Sequence, residues 1–124
     1  PYQADLAFAK AVNESNVILF DCLTLYTSNL LLSSKAPADS ESRYHYVMNE
    51  IDKLIQSALN CKKTVIFVTN ETGMGIVPDN ALAREYRDLV GMVNQRVADH
   101  AEEVYLVVSG VAVEIKKLAA KING

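Results

Sequence analysis

The sequence lacks several features that would assign it to a well-known class. It has no tryptophan, five glycines and three prolines in 124 residues, and its net charge is -3. Its only adjacent basic residues are the pairs Lys62-Lys63 and Lys116-Lys117. A protein that binds a nucleic-acid backbone needs a clustered basic face, so we expect no nucleic-acid partner. The apolar runs are short, as at residues 65–68, whereas a membrane helix needs about 20 apolar residues. The sequence therefore predicts no membrane span.

The two cysteines, Cys22 and Cys61, are far apart and form no CxxC pair. Residues 1–10 include Asp5 and lack the basic-then-apolar pattern of a secretion signal. Free thiols in a chain that can bury a sizeable core are typical of a reducing compartment. We therefore expect a cytoplasmic protein with two reduced cysteines. Its length and its 50% content of hydrophobic residues predict one domain covering residues 1–124.

Short apolar runs and longer periodic segments alternate along the chain. The runs at 17–20, 64–68 and 104–108 are nearly continuous in apolar character, which is typical of strands buried on both faces of a parallel sheet. Helical spacing of apolar residues predicts helices from Tyr44 to Ala58 and from Leu82 to Val97, and weaker ones at 2–12 and 24–32. Asp79 is the predicted N-cap of the 82–97 helix, and residues 33–42 read as an exposed loop. This order predicts an α/β fold with right-handed crossovers.

Functional residues of such a sheet lie at the carboxyl ends of its strands. Asp21 follows the first predicted strand. An acidic residue in this place can hold Mg²⁺ beside nucleotide phosphates, but it can equally cap the helix that follows. The residues alone leave both roles open.

Thr69, Asn70 and Glu71 follow the second predicted strand and open a loop that contains Gly73 and Gly75. The glycines could bring backbone amides close to a ligand, although a tight structural turn is the favoured interpretation. The side chains of Thr69 and Asn70 are better placed to face the site. His45 and His100 are not near a second ligand at metal-binding spacing, so we expect structural roles for both.

Two segments resemble one particular family. They are VILFDCLTLYTSNLL at residues 17–31, and TNETGMGIVPDNALAREYRDLVGMVNQR at residues 69–96, which VYLVVSG follows at 104–110. They are similar to the bifunctional adenosylcobinamide kinase / adenosylcobinamide-phosphate guanylyltransferase family of cobalamin biosynthesis. The resemblance extends over about residues 1–116.

The resemblance implies a three-layer, RecA-like P-loop fold with a mainly parallel sheet. It implies phosphorylation of adenosylcobinamide by ATP or GTP, and then transfer of GMP from GTP through a guanylylated histidine to give adenosylcobinamide-GDP. Mg²⁺ and a homotrimer are expected with it. Asp21 lies where the family has its acidic nucleotide-binding residue, which favours the magnesium role. Thr69, Asn70 and Glu71 lie in a motif that forms part of the family's site.

The sequence departs from the family pattern in one respect. The family's first strand, its glycine-rich loop ending in Gly-Lys-Ser and its guanylylated histidine are absent from these residues, and neither His45 nor His100 lies at the histidine's position. We therefore expect the C-terminal part of a P-loop transferase domain, inactive alone and with uncovered strand edges and apolar helix faces. The alternative is a non-catalytic α/β module for assembly or nucleotide binding.

Overall fold

The computed structural model describes residue 4 and residues 16–33, 35–70 and 80–118. The elements, in chain order, are β1 (Val17–Asp21), α1 (Leu23–Leu31), α2 (Ser40–Asn60), β2 (Thr64–Val68), α3 (Ala81–His100), β3 (Tyr105–Val108) and β4 (Val111–Glu114). Helices separate β1 from β2 and β2 from β3, so the α/β class is confirmed for the part of the chain that the structure describes.

The parallel pair β1–β2 is the part of the predicted sheet that the structure confirms. The two strands run in register from Val17 beside Thr64 to Asp21 beside Val68. Because α1 and α2 connect two parallel strands, the carboxyl ends of both strands lie at one edge of the sheet. The residues that follow Asp21 and Val68 therefore meet there.

The third strand forms as predicted, but its predicted place in the parallel sheet is wrong. β3 pairs antiparallel with β4, which the sequence analysis did not predict, and within the described residues this hairpin is separate from the parallel pair. Ser109 (φ 51°) and Gly110 (φ 78°) form the turn, and positive φ at both central residues suits a two-residue hairpin loop. The apolar run indicated a strand but not its partner, and the Ser-Gly turn makes the next segment the nearest partner.

The predicted burial of the strands on both faces is also wrong for the described residues. Ile18 is buried, but Leu19 is 62% exposed and Ile66 is 46% exposed. All four residues of β3 are exposed. The core packs against the face of the β1–β2 sheet that carries Ile18. The opposite face carries Leu19 and Ile66 and is exposed in the described residues.

The core forms where the three helices pack against that covered face. The spacing of Val47, Ile51 and Leu54 places them on one stripe of α2, and all three are fully buried. Leu30 from α1 and Val93 from α3 are fully buried in the same cluster. Each such side chain contributes roughly 1.5 to 3 kcal/mol relative to an exposed one, so this cluster stabilises the helix layer.

Helix α2 begins earlier than predicted, at Ser40 rather than Tyr44. Asp39 is its N-cap, and the Ser42 backbone N–H donates to Asp39 Oδ2 at 2.9 Å. Hydrogen bonds from Ser42 lower the pKa of the Asp39 carboxyl. The predicted loop at 33–42 is therefore shorter, and its first residue, Ser33, is buried. Residues 40–42 form a capped first turn that faces solvent, and because they are polar their sequence resembles that of a loop.

Helix α3 is capped by Asn80 rather than by Asp79. The Ala83 backbone N–H donates to Asn80 Oδ1 at 2.7 Å, and Asp79 lies outside the described residues. At the other end of α3, the Lys116 ammonium donates to the carbonyls of Ala98 (2.7 Å) and Ala101. A cation is favoured beside helix C-terminal carbonyls, so Lys116 links the hairpin segment to α3. The predicted helix at 2–12 lies outside the described residues except for Ala4, which is buried.

Two ion pairs connect α2 to α3. Arg43 and Glu85 form a bidentate pair, with Nε–Oε2 and Nη2–Oε1 distances of 2.8 Å, and Arg43 Nη1 also donates to the carbonyl of Ala38. Arg96 Nη1 donates to Asp52 Oδ1 at 2.6 Å. The side chains of the first pair are largely covered, being 20% and 16% exposed. A covered bidentate pair is the kind of ion pair that orients two helices.

The Arg43–Glu85 pair predicts a pH dependence of stability. The hydrogen bonds from Arg43 lower the pKa of the Glu85 carboxyl below its ordinary 4.5. Because the folded state binds the proton more weakly, the contribution of Glu85 is present above pH 4.5 and is lost as the pH falls through the lowered pKa. Urea unfolding between pH 7 and pH 3 should therefore show a smaller acid-induced loss of stability for Glu85→Gln than for the wild type. Glu102→Gln, a change of an exposed carboxyl, is the control. An equal acid-induced loss in Glu85→Gln and the wild type would contradict this assignment.

No helix of the described residues is long and apolar enough to cross a bilayer. Cys22 and Cys61 are half-buried free thiols.

Candidate functional site

Asp21 lies at the carboxyl end of β1 with its side chain exposed. It does not cap α1. Cys22 is the N-cap, and its sulfur accepts the Leu25 backbone N–H at 3.4 Å. The sequence left two roles open for Asp21, and the helix-capping role is thus wrong. The Asp21 carboxylate lies at the end of the strand and does not cap the helix that follows.

Thr69 and Asn70 follow β2 directly and lie at the same edge, since Val68 is the partner of Asp21 in the ladder. Thr69 Oγ1 donates to Asn94 Oδ1 at 2.6 Å and lies 3.3 Å from Thr24 Oγ1. The Asn70 backbone N–H donates to Thr24 Oγ1 at 3.2 Å, and Asn94 Nδ2 donates to the Asn70 carbonyl at 3.4 Å. Side chains from α1 and α3 thus hold the end of β2 from two sides.

Tyr86 strengthens the contact between α1 and α3 at this edge. Its hydroxyl donates to the Thr24 carbonyl at 3.2 Å. Burial, and to a lesser degree the neighbouring Cys22, raises the pKa of this phenol above its ordinary 10. Tyr86 is therefore a protonated hydrogen-bond donor at neutral pH.

Sequence reasoning missed three members of this edge: Thr24, Tyr86 and Asn94. Tyr86 and Asn94 are eight residues apart, a spacing that puts both near one face of a helix. That spacing is the only signal that could have brought them together. Of the predicted site residues, the structure brings Asp21, Thr69 and Asn70 to one edge. Glu71, Gly73 and Gly75 lie outside the described residues.

The histidines are away from any metal-binding cluster. His100 is exposed, and its Nδ1 lies 2.9 Å from the Arg96 carbonyl near the end of α3. His45 is exposed on α2 beside the ring of Tyr44. In the part of the chain that the structure describes, no group of three His, Cys, Asp or Glu side chains could hold a metal ion.

The position of Asp21 nevertheless suits one mode of Mg²⁺ binding. Mg²⁺ keeps several waters and is commonly bound through one or two carboxylates together with substrate phosphates. An exposed carboxylate at a strand end, beside polar strand-end residues, fits that mode of binding. It does not fit a preformed cage made of protein ligands alone.

An acidic strand end beside a polar strand end, at the carboxyl edge of a parallel sheet, is the arrangement in which α/β proteins bind ligands. The family model of cobinamide kinase / cobinamide phosphate guanyltransferase matches residues 2–115. The chain belongs to this family.

Three curated relatives agree with this assignment. The bifunctional adenosylcobalamin biosynthesis protein CobU of Salmonella typhimurium strain LT2 is 46% identical over 106 residues, which are 82% of this chain and 59% of that protein. The protein of the same name from Escherichia coli K12 is 43% identical over 110 residues, 85% of this chain and 61% of its own length. The corresponding CobP of Pseudomonas aeruginosa PAO1 is 35% identical over 99 residues, 80% of this chain and 53% of its length. The matches thus span between 53% and 61% of the curated relatives.

Proposed function

We propose that this chain is part of a bifunctional enzyme of adenosylcobalamin biosynthesis with a P-loop, RecA-like fold. The enzyme phosphorylates adenosylcobinamide with ATP or GTP and then transfers GMP from GTP to the product. The observation that carries this proposal is the match of the family model to residues 2–115. The names of the relatives, which describe bifunctional proteins of this biosynthesis, support it.

The carboxyl edge of β1 and β2 is the proposed nucleotide side of the site. Asp21 binds Mg²⁺ directly or through water, and the ion would screen the charge of the nucleotide phosphates. Thr69, Asn70 and Glu71 belong to the same nucleotide-binding edge. Two features support this assignment: Asp21 has no capping task, and Thr69 and Asn70 lie next to its ladder partner.

The 124 residues alone are proposed to catalyse neither reaction. They contain no glycine-rich loop that ends in Lys-Ser or Lys-Thr, and such a loop supplies the backbone amides and the lysine that support β- and γ-phosphates. No histidine of the chain matches the position of the family's guanylylated residue.

Self-association is proposed as well, with a homotrimer as the expected state. Apolar side chains are exposed on the open face of β1–β2 and along the β3–β4 hairpin, including Leu19 and Val107, which are both 62% exposed. Large exposed apolar patches are typical of interaction sites. The cytoplasm is the proposed location, in keeping with two free thiols.

The test is an assay of both reactions in the complete protein that carries this segment and in the 124-residue chain. Adenosylcobinamide is supplied with γ-labelled GTP for the kinase step and with α-labelled GTP for guanylyl transfer. We expect label from both nucleotides in the cobinamide product of the complete protein, and from neither with the 124-residue chain. A complete protein that transfers no label would overturn the proposed function, and a chain that turns over by itself would overturn its proposed inactivity.

A further inference from the structure

The hydrogen bonds at the end of β2 close into a ring that starts and ends at the Asn70 residue. The Asn70 N–H donates to Thr24 Oγ1 (3.2 Å), Thr24 Oγ1 and Thr69 Oγ1 share a hydrogen bond (3.3 Å), and Thr69 Oγ1 donates to Asn94 Oδ1 (2.6 Å). Asn94 Nδ2 then donates back to the Asn70 carbonyl (3.4 Å). The ring connects the end of β2 to the start of α1 and to the middle of α3.

The direction of every hydrogen bond in the ring is fixed by the chemistry of its members. The amide of Asn94 must turn its NH₂ group toward the Asn70 carbonyl, because a carbonyl can only accept. Its oxygen therefore faces Thr69, and Thr69 must give its single hydroxyl proton to that oxygen. The proton between the two threonines then belongs to Thr24, whose oxygen also accepts the Asn70 N–H.

These hydrogen bonds limit what Thr69 can do for a ligand. Its hydroxyl proton is committed to Asn94, and one lone pair is committed to Thr24. A phosphate oxygen needs a donor, and Thr69 retains only acceptor capacity. Thr69 is therefore poorly suited to contact a phosphate while the ring is closed, although its position beside Asp21 had suggested such a contact.

We propose that Thr24, Thr69 and Asn94 are positioning residues, which hold the Asn70 peptide at a fixed place beside Asp21 and do not themselves bind the nucleotide. This inference rests on the proposed function, because the edge that they order is the proposed nucleotide edge. Thr69 thereby changes from a binding residue to a positioning residue. Thr24 and Asn94 gain a role that neither had from the sequence.

The test compares isosteric changes that break the ring with changes that keep its hydroxyls, in the complete protein. Thr24→Val and Thr69→Val remove one hydroxyl each, the double variant removes both, and Thr24→Ser and Thr69→Ser are the matched controls. Two quantities are measured: the exchange rate of the Asn70 amide hydrogen, and the affinity for Mg²⁺·GTP. The melting temperature of each variant shows that it is folded.

We expect Thr24→Val to speed the exchange of the Asn70 amide by about three- to tenfold, the range that loss of one hydrogen bond gives. Each valine variant should weaken Mg²⁺·GTP binding by a similar factor, and the double variant should be no worse than either single one, because both changes open the same ring. The serine variants should restore both quantities.

The possible outcomes separate this inference from the proposed function. Unchanged exchange of the Asn70 amide in Thr24→Val would overturn the ring, whatever the protein binds. Loss of GTP affinity in Thr69→Val but not in Thr24→Val would make Thr69 a direct ligand and overturn the positioning role. A wild-type protein that binds no GTP would remove the proposed nucleotide edge and the positioning role with it, even where the exchange data show the ring to be closed.

Discussion

Asp21→Asn is expected to lower the affinity of the complete protein for GTP by roughly 10- to 100-fold when Mg²⁺ is present. The change keeps the size of the side chain and removes its charge, so that a hard cation loses an anionic ligand. Interactions that involve a charged group contribute about 1.5 to 3 kcal/mol, which corresponds to that range in affinity. Because Asp21 is exposed and does not cap α1, we expect the fold to tolerate the change. Calorimetric titration of GTP in Mg²⁺ measures the effect.

If Asp21 acts through the metal, the loss of GTP affinity in Asp21→Asn should disappear or reverse when the titration is repeated in EDTA. Without Mg²⁺, a carboxylate near phosphates repels them, so Asp21→Asn should then bind GTP as well as the wild type or better. Asp88→Asn is the matched control, since Asp88 is an exposed carboxylate on α3 that lies 3.8 Å from Arg87. Equal losses of affinity with and without Mg²⁺ would mean that Asp21 supports the site without binding the metal. No loss at all would remove Asp21 from the site.

Leu54→Ala is expected to destabilise the protein by about 2 to 5 kcal/mol, the range for deleting a fully buried leucine side chain. Leu54 is 0% exposed and belongs to the cluster that joins α2 to the other helices. A small domain has a total stability of about 5 to 15 kcal/mol, so this one change removes a large part of it. Alanine favours helix formation at least as much as leucine does, so the loss reports packing. Urea unfolding measures it.

Leu59→Ala on the same helix is the control for that measurement. Leu59 is 52% exposed, and a change at such a position usually alters the stability by less than about 0.5 kcal/mol. If both variants lost the same stability, the packing of α2 against the described core would be wrong. A near-neutral Leu54→Ala would contradict it equally.

The sequence predicted those elements whose pattern is set by burial. Val47, Ile51 and Leu54 recur at helical spacing because one stripe of α2 faces the core, and that stripe is visible in the residue types alone. β1 and β2 were recognised for a similar reason, since a short apolar run bounded by polar residues can form a strand between helices. The location of Asp21 and Thr69 at one edge then follows from the parallel connection.

Details in which two neighbouring residues compete for one structural position could not be predicted in the same way. Asp21 and Cys22 are adjacent, and residue preferences favour Asp as a helix cap, yet the Cys22 sulfur takes the position. Likewise, Asp79 and Asn80 are both good caps, and the choice depends on where the first helical turn begins. The β3 run had the composition of a buried strand, and only its actual partner, β4, shows that it forms a hairpin.

The ring at Asn70 shows a second limit of sequence reasoning. Its members come from α1, the end of β2 and α3, and the partners in its hydrogen bonds are separated by 24 to 46 residues along the chain. Nothing in residue type or spacing links Thr24 to Asn94 before the two helices are placed. The site therefore had to be assembled from the fold, although its carboxylate was visible in the sequence.

The claim that the carboxyl edge of β1 and β2 binds the metal–nucleotide complex is tested most directly by locating the metal. Mn²⁺ can replace Mg²⁺ in such complexes, and its unpaired electrons broaden the NMR signals of nearby backbone amides. Addition of Mn²⁺ and GTP to the isotope-labelled complete protein should broaden the amides of Asp21, Thr24, Thr69 and Asn70, and Asp21→Asn should reduce that broadening. Broadening centred on Glu50 and Asp52 of α2 instead, with sharp signals at Asp21 and Asn70, would contradict the account.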